Sequence, residues 1–332
     1  MEKSIAVVVT YNRLGLLTEC IDALRRQSHP LDAILVVNNG STDDTEEWLK
    51  SQPDLHYISQ KNIGSSGGFN TGINWAYKNG YSWIWCMDDD GYPKFNAFEK
   101  LLEPETEHLA LRNCAVINKA DKKSFVWKTG SYATIDEVTE PMIKGIGHPF
   151  NGTLLHRNIV ERVGAPKPKL FLWGDETEYY YRITRKNNIP VYTVTGSIHY
   201  HPSAAFSYKR DWDYESAWKM YYYVRNRFEI HKAKFGIPVI ALFNYCCFLM
   251  AMIGVVLFYQ KTDRFKKLQF IMWPAYDAFT NNYSATPQTI LSRLKLPPLQ
   301  PAIESMNKSI QQIWANLLAP FTVFREEGTA NA

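Results

Sequence analysis

The stretch Trp83-Ile84-Trp85-Cys86-Met87-Asp88-Asp89-Asp90-Gly91 constrains this chain more than any other. An apolar run long enough for a buried strand ends in three consecutive carboxylates, and Gly91 and Pro93 then turn the chain into a loop. The acids therefore sit at a strand's carboxyl end, the edge where ligands bind in an open α/β sheet. Clustered carboxylates repel one another unless a cation or a set of donors holds them, and a divalent metal, Mg2+ or Mn2+, is the natural partner. The plain alternative is a solvated acidic loop capping a helix. What precedes the triplet favours the ligand site.

Residues 5–11 read as a first strand, and Leu14, Leu17, Ile21 and Leu24 recur at helical spacing through Gln27, so a βα unit opens the chain. Ala33 to Val37 is a second strand, ending in Asn38-Asn39-Gly40-Ser41-Thr42-Asp43-Asp44-Thr45, a turn and a helix start. Leu55 to Ser59 is a third. The glycine-rich stretch Gly64 to Gly72 follows and reads as a loop, with a helix from Ile73 to Lys78. Its glycines let backbone approach a ligand or a neighbouring strand, and structural turn glycines are the default reading. Neither GxxxxGK nor GxGxxG is present. The fourth strand ends in Asp88. This alternation implies an α/β fold with a doubly wound, mostly parallel sheet.

In order, the chain presents strand-TYNR, strand-NNGSTDDT, NIGSSGGFNTG and strand-DDD. That series resembles the nucleotide-sugar-binding half of the inverting family 2 glycosyltransferases of the GT-A fold, over about residues 4–95. The resemblance implies that Thr10, Tyr11, Asn12 and Arg13 line the base and ribose pocket. It also places Asn39 where many members have an Asp on the uracil, and an amide there adds a donor that a carboxylate lacks. Gly67, Gly68 and Asn70 are expected at the donor. Asp88 and Asp90 match the outer positions of the DxD motif that holds the metal on the diphosphate, with Asp89 between them at the donor.

The string Phe171-Leu172-Trp173-Gly174-Asp175-Glu176-Thr177-Glu178 opens a helix rich in acids, which the helix dipole alone favours by a few tenths to ~1 kcal/mol each. An inverting transfer also needs a carboxylate to take the acceptor hydroxyl proton. Trp173 offers a sugar-stacking face and desolvation beside the acids. The string is similar to the family's acidic pair, whose second member is the base. This maps onto Glu176, with Asp175 as second choice and as the residue contacting acceptor hydroxyls. Downstream, Pro190 to Tyr200 alternates as a strand and ends in His199-Tyr200-His201, so both imidazoles share one face. Related galactofuranosyl- and rhamnosyltransferases bind metal through a His at such a strand end. His201 is assigned to the metal, and His199 is the fallback and otherwise faces the acceptor.

Trp218 to Arg227, with Tyr221-Tyr222-Tyr223-Val224-Arg225-Asn226-Arg227, resembles a YYxxRN helix of the same transferases. From Phe235 to Gln260 no residue is charged, about the ~20 residues of a bilayer span, yet both flanks are basic. A hairpin or in-plane insertion at 236–259 with both ends cytoplasmic is expected, or a buried helix pair in a homo-oligomer. From Pro287 an extended wrap precedes a helix at Ile303 to Leu318. The expected division is a catalytic domain over 1–210, its halves meeting near 95, and a helical, partly apolar extension over 211–332. A net charge of +4 does not indicate nucleic acid, and five Cys without a CxxC pair indicate a reducing compartment.

The reading is a metal-dependent inverting glycosyltransferase at the cytoplasmic face of the cell membrane. It takes a nucleotide-sugar donor, UDP-galactofuranose first and dTDP-rhamnose second, and a glycan or polyprenyl-diphosphate-linked glycan acceptor. A non-catalytic carbohydrate- or nucleotide-binding module, which needs no base, and a nucleotidyl- or phosphotransferase, which releases pyrophosphate or a phosphorylated product, are the competing classes.

Overall fold

Strand β1 (Ser4–Thr10) is buried from end to end, and its alternation builds a core on each face of the sheet. Ile5, Val7 and Val9 enter one core and Ala6 and Val8 the other, because successive strand side chains point to opposite faces. The first face is covered by α3 (Gly64–Lys78), α5 (Arg157–Val163) and α6 (Asp175–Tyr181). The second is covered by α1 (Leu14–Arg25), α2 (Thr45–Lys50) and α4 (Ala97–Leu102). Helix α1 buries Leu17, Cys20, Ile21 and Leu24, the i, i+3, i+4, i+7 stripe of an amphipathic helix. The computed structural model describes residues 2–104, 109–203, 211–213 and 217–297.

Strand β1 pairs in parallel with β2 (Ala33–Asn38) on one side and β4 (Trp83–Asp88) on the other, and β3 (His56–Ser59) extends the sheet beyond β2. Past β4 lies β10 (Asn151–His156), antiparallel both to β4 and to β6 (Leu111–Asn118). Next come β11 (Val191–His201), parallel to β6, and the short antiparallel β5 (Tyr92–Pro93). The hairpin of β7 (Ser124–Thr129) and β8 (Tyr132–Thr134) leaves β6, and β9 (Met142–Lys144) pairs with β11. Strands β1, β2, β3, β4, β6 and β11 thus share one direction, and their carboxyl ends share one edge. The connections leave β1 toward β2 first and toward β4 later, so the strand order reverses between β1 and β4. A crevice at such a switch point is where open α/β sheets hold ligands.

The loop expected over Gly64 to Gly72 is instead the first half of α3. A Cβ on Gly68 would lie 2.5 Å from Val9 Cγ1, and one on Gly72 would lie 2.4 Å from Val7 Cγ1. The glycines bring α3 down onto β1, and this packing outweighs their poor helix propensity of about 1 kcal/mol each.

Helices α7 (Met220–Phe235), α8 (Pro238–Tyr259), α9 (Arg264–Phe279) and α10 (Pro287–Arg293) share a third apolar cluster, against which Phe171, Leu172 and Trp173 also pack. No hairpin divides the apolar segment, since α8 runs unbroken for 22 residues. Its stripe Ala241, Tyr245, Leu249, Met252 and Val256 is buried, while Val239, Phe243, Met250 and Phe258 are exposed. Among the described residues α8 is the one helix long and apolar enough to cross a membrane. The expected extended wrap at Pro287 is also replaced by a helix, with Pro287 in the first turn, where a missing N–H costs nothing. The helix expected at Ile303 to Leu318 lies outside the described residues.

Candidate active site

Three acids leave β4 at the switch point, and each meets a different environment. Asp89 is buried beneath the end of β1, where Thr10 Oγ1 donates to it at 2.7 Å and Arg13 Nη1 at 3.1 Å. Burial pushes its pKa up to about 6 against the pull of Arg13 and Thr10. Asp90 faces the crevice, with Arg13 Nη1 at 2.9 Å from Oδ2 and His201 Nε2 at 3.2 Å from Oδ1. Burial raises its pKa, but His201 and Arg13 together outweigh that and hold it at about 2. Burial, then Asp90 and Asp89, push the Asp88 carboxyl well above the usual range.

His201 ends β11, which crosses to this edge because β11 runs parallel to β6. Its Nδ1 lies 2.6 Å from the Pro202 carbonyl, so the Nδ1–H donates there, and Nε2 is turned toward Asp90 Oδ1. Asp90 Oδ1 is buried, with His201 Nε2 beside it. Trp127 of β7 closes this side, its ring 5.0 Å from His201 and 5.2 Å from His148.

Across the crevice α6 begins at Asp175 after a sharp turn. Phe171, Trp173 and Gly174 have φ of 66°, 56° and 97°. Asp175 is only 2% exposed and accepts a hydrogen bond of 3.1 Å from Ser65 Oγ of α3. Burial and the adjacent Glu176 push its pKa far up. The Glu176 carboxylate accepts the Gly174 N–H at 3.2 Å, and its charge is felt by Asp88 across the crevice. Lys219, just before α7, lies 5.9 Å from the Trp173 ring; burial and Arg13 lower its pKa while Asp90 raises it.

A sequence profile described as glycosyl transferase family 2 matches residues 5–162. Galactofuranosyltransferase GlfT1 of Mycolicibacterium smegmatis is 32% identical over 219 residues, covering 61% of this chain and 72% of the relative. This chain belongs to glycosyl transferase family 2. GlfT1 of Mycobacterium tuberculosis is 29% identical over 222 residues, covering 63% of this chain and 73% of its own length. In fold, the glycosyltransferase is similar to Staphylococcus aureus TarS 1–349, with a TM-score of 0.52 at 13% identity over 88% of this chain and 84% of that one. The expected α/β architecture with a mostly parallel sheet and a helical, partly apolar C-terminal region is therefore the observed one.

Several residues expected at the donor also make hydrogen bonds or packing contacts within the protein. Asn39 is buried and its amide is saturated: Nδ2 donates to Gly64 O and Asn62 Oδ1, and Oδ1 accepts from Gln60 and the Ile63 N–H. It ties β2 to the start of α3. Asn12, at φ 54°, accepts the Thr42 N–H at 2.6 Å and so joins the two strand-end loops. Thr10 and Asp89 are bonded to each other, and Arg13 bridges Asp89 and Asp90. Gly67 meets Ile63 and Gly68 meets Val9, while Asn70 donates to Pro166 O at 2.9 Å. Tyr11 stays half-buried at the rim.

His199 is fully buried, directly beneath Gly91, where a Cβ would lie 2.2 Å from its Nε2. Burial lowers its pKa to about 3, and neither ring nitrogen has a hydrogen-bond partner among the described residues. The buried Asp175 turns to Ser65 of α3. Lys219 was missed by sequence reasoning, since a single Lys before a Tyr-rich helix carries no motif.

Asp90 and His201 suit a divalent cation by the chemistry of their donors: a buried carboxylate oxygen and an imidazole nitrogen lie 3.2 Å apart, with Asp88 near in charge. Among the described residues no three His, Cys, Asp or Glu close into a complete ligand set.

Proposed function

We propose that this enzyme moves galactofuranose from UDP-galactofuranose to a hydroxyl of a growing, lipid-linked glycan, with inversion at the anomeric carbon. The observation that carries the reading is the placement of Asp88, Asp90 and His201 on one wall of the switch-point crevice and Glu176 on the other. The similarity to the GlfT1 proteins supports the choice of sugar. Asp88, Asp90 and His201 would hold Mn2+ or Mg2+, whose charge offsets that of the departing diphosphate. Glu176 takes the acceptor hydroxyl proton as that oxygen bonds to the anomeric carbon and the bond to the diphosphate oxygen breaks, its electron pair leaving with UDP. Glu176 is favoured over Asp175 because Asp175 is buried against Ser65. Lys219 supplies a cation between Trp173 and the acid wall, where the leaving group's charge develops.

The α8–α9 surface supports docking on the inner face of an anionic membrane. Phe258 and Phe265 are 83% and 72% exposed at the turn joining these helices, amid exposed Lys261, Arg264 and Lys266. Apolar side chains rimmed by cations fit an in-plane seat in a lipid headgroup layer. One buried stripe on α8 keeps that helix on the enzyme while its other side faces the lipid.

Calorimetric titration with nucleotide sugars, UDP-galactofuranose and dTDP-rhamnose included, tests the reading. UDP-galactofuranose is expected to bind only with Mn2+, and Asp90→Ala to abolish that binding. Glu176→Gln is expected to keep donor affinity and to lose about 10²-fold or more in turnover. Binding of dTDP-rhamnose alone would replace the sugar, and no binding of any donor would overturn the nucleotide-sugar reading.

A further inference from the structure

The turn that delivers Glu176 is held from behind by two fully buried residues of α7. Asn226 Nδ2 donates to the carbonyls of Leu170 at 2.8 Å, Leu172 at 3.0 Å and Trp173 at 2.9 Å. Arg225 Nη2 donates to the carbonyls of Lys169 at 3.3 Å and Leu170 at 3.1 Å. The guanidinium of Arg225 lies among the rings of Tyr221, Tyr222 and Tyr283, at 5.3, 5.0 and 4.7 Å, so its own position is fixed. Phe171 stacks on Tyr222 at 5.1 Å.

The turn needs such support. Phe171 and Trp173 sit at positive φ, which side-chain-bearing residues keep only where their surroundings over-determine it. The Trp173–Gly174 peptide makes the support specific. Its carbonyl accepts from Asn226 and its N–H, on the other side of the same planar unit, donates to Glu176 Oε2. A trans peptide fixes these two groups in opposite directions. Holding the carbonyl toward α7 therefore aims the N–H at the carboxylate.

We propose that Asn226, seated beside Arg225, is a positioning residue for Glu176: it sets the Trp173–Gly174 peptide, and that peptide holds the base carboxylate. This rests on the reading of Glu176 as the base. Asn226 reaches no substrate, so its removal reduces turnover by releasing Glu176, and a misplacement of about 1 Å costs on the order of 10²-fold in rate.

The test is a double-mutant cycle on the full chain with Asn226→Ala, Glu176→Gln and both together. UDP release is followed with UDP-galactofuranose and an octyl galactofuranoside acceptor, and UDP affinity is measured by calorimetry with Mn2+. Asn226→Ala is expected to lower kcat by about 10²-fold with donor KM and UDP affinity within about twofold, and the double variant to be no slower than Glu176→Gln. Asn226→Gln, which restores the amide, is expected to recover part of the rate. Losses that multiply in the double variant would overturn the positioning role and leave the base standing. Undiminished turnover in Glu176→Gln would remove the base, and the positioning role with it. A fall in UDP affinity as large as the fall in kcat would mark Asn226 as general scaffolding and overturn the proposal. Should Asn226→Ala fail to fold, Asn226→Ser, which keeps one polar donor on a side chain one bond shorter, runs the same cycle.

Discussion

Gly64 is the position at which fold and catalysis are expected to fail together. It opens α3 at φ +77°, and a Cβ there would lie 2.0 Å from the Phe171 carbonyl oxygen, 2.5 Å from its carbon and 2.7 Å from its Cα. All three are backbone atoms, so no rotamer change relieves the contact. Bringing the nearest to a tolerable separation requires a shift of about 1 Å in the turn that precedes Asp175 and Glu176. Gly64→Ala meets two costs, about 1–2 kcal/mol for a left-handed alanine and about 1–3 kcal/mol for the forced displacement. Gly80 supplies the control: its φ is +82°, and nothing lies within 4 Å of a Cβ there. Gly80→Ala carries the first cost alone. Urea unfolding is expected to show Gly64→Ala less stable than Gly80→Ala by about 2 kcal/mol. In the UDP-release assay, Gly64→Ala should fall by about 10²-fold and Gly80→Ala should match the wild type. Equal stability losses in the two variants, or full turnover in Gly64→Ala, would refute the argument that α3 seats the catalytic turn.

Two further outcomes are expected. The Glu229 carboxylate is buried; burial raises its pKa, but Lys167, Lys232 and Lys169 outweigh that and bring it down to about 2. A depressed carboxylate pKa adds stability that is present above the unfolded value of about 4.5 and is lost as pH falls toward 2. Because the three lysines are 35–39% exposed, screening reduces this to about 1–2 kcal/mol. Glu229→Gln should therefore be less stable than the wild type at pH 7 by that amount, with the gap narrowing below pH 4.5 in denaturant titrations. In flotation with vesicles containing phosphatidylglycerol, replacing Phe258 and Phe265 by Ser should reduce binding at least tenfold without loss of soluble turnover, while unchanged flotation would refute the docking surface.

The sheet was legible because its strands are apolar on both faces and end in turn residues, and the spacing of Leu17, Ile21 and Leu24 named α1 directly. Asp90 and His201 were legible for a related reason: a carboxylate after a buried strand and an imidazole at another strand's end share an edge whenever the strands share a direction. The glycines of α3 were misread because propensity argues against a helix there, and the force that wins, contact with Val7 and Val9, comes from about sixty residues away. The internal bonds of Asn39 were not legible because one sequence does not show which groups saturate an amide. Asn226 was visible as part of a motif, but its three acceptors lie more than fifty residues earlier, in a turn whose shape the sequence does not announce.

The grip of α7 on that turn is a grip on main-chain oxygens. Asn226 and Arg225 bond carbonyls from Lys169 to Trp173, and every amino acid supplies a carbonyl in the same place. The hydrogen bonds of the clamp are therefore indifferent to the letters written along the turn, while the half-buried side chain at 173 lies beside Lys219. On the proposed reading of Trp173 as an acceptor contact and Glu176 as the base, a mutant library at 173 is expected to change acceptor preference with the hold on Glu176 left in place.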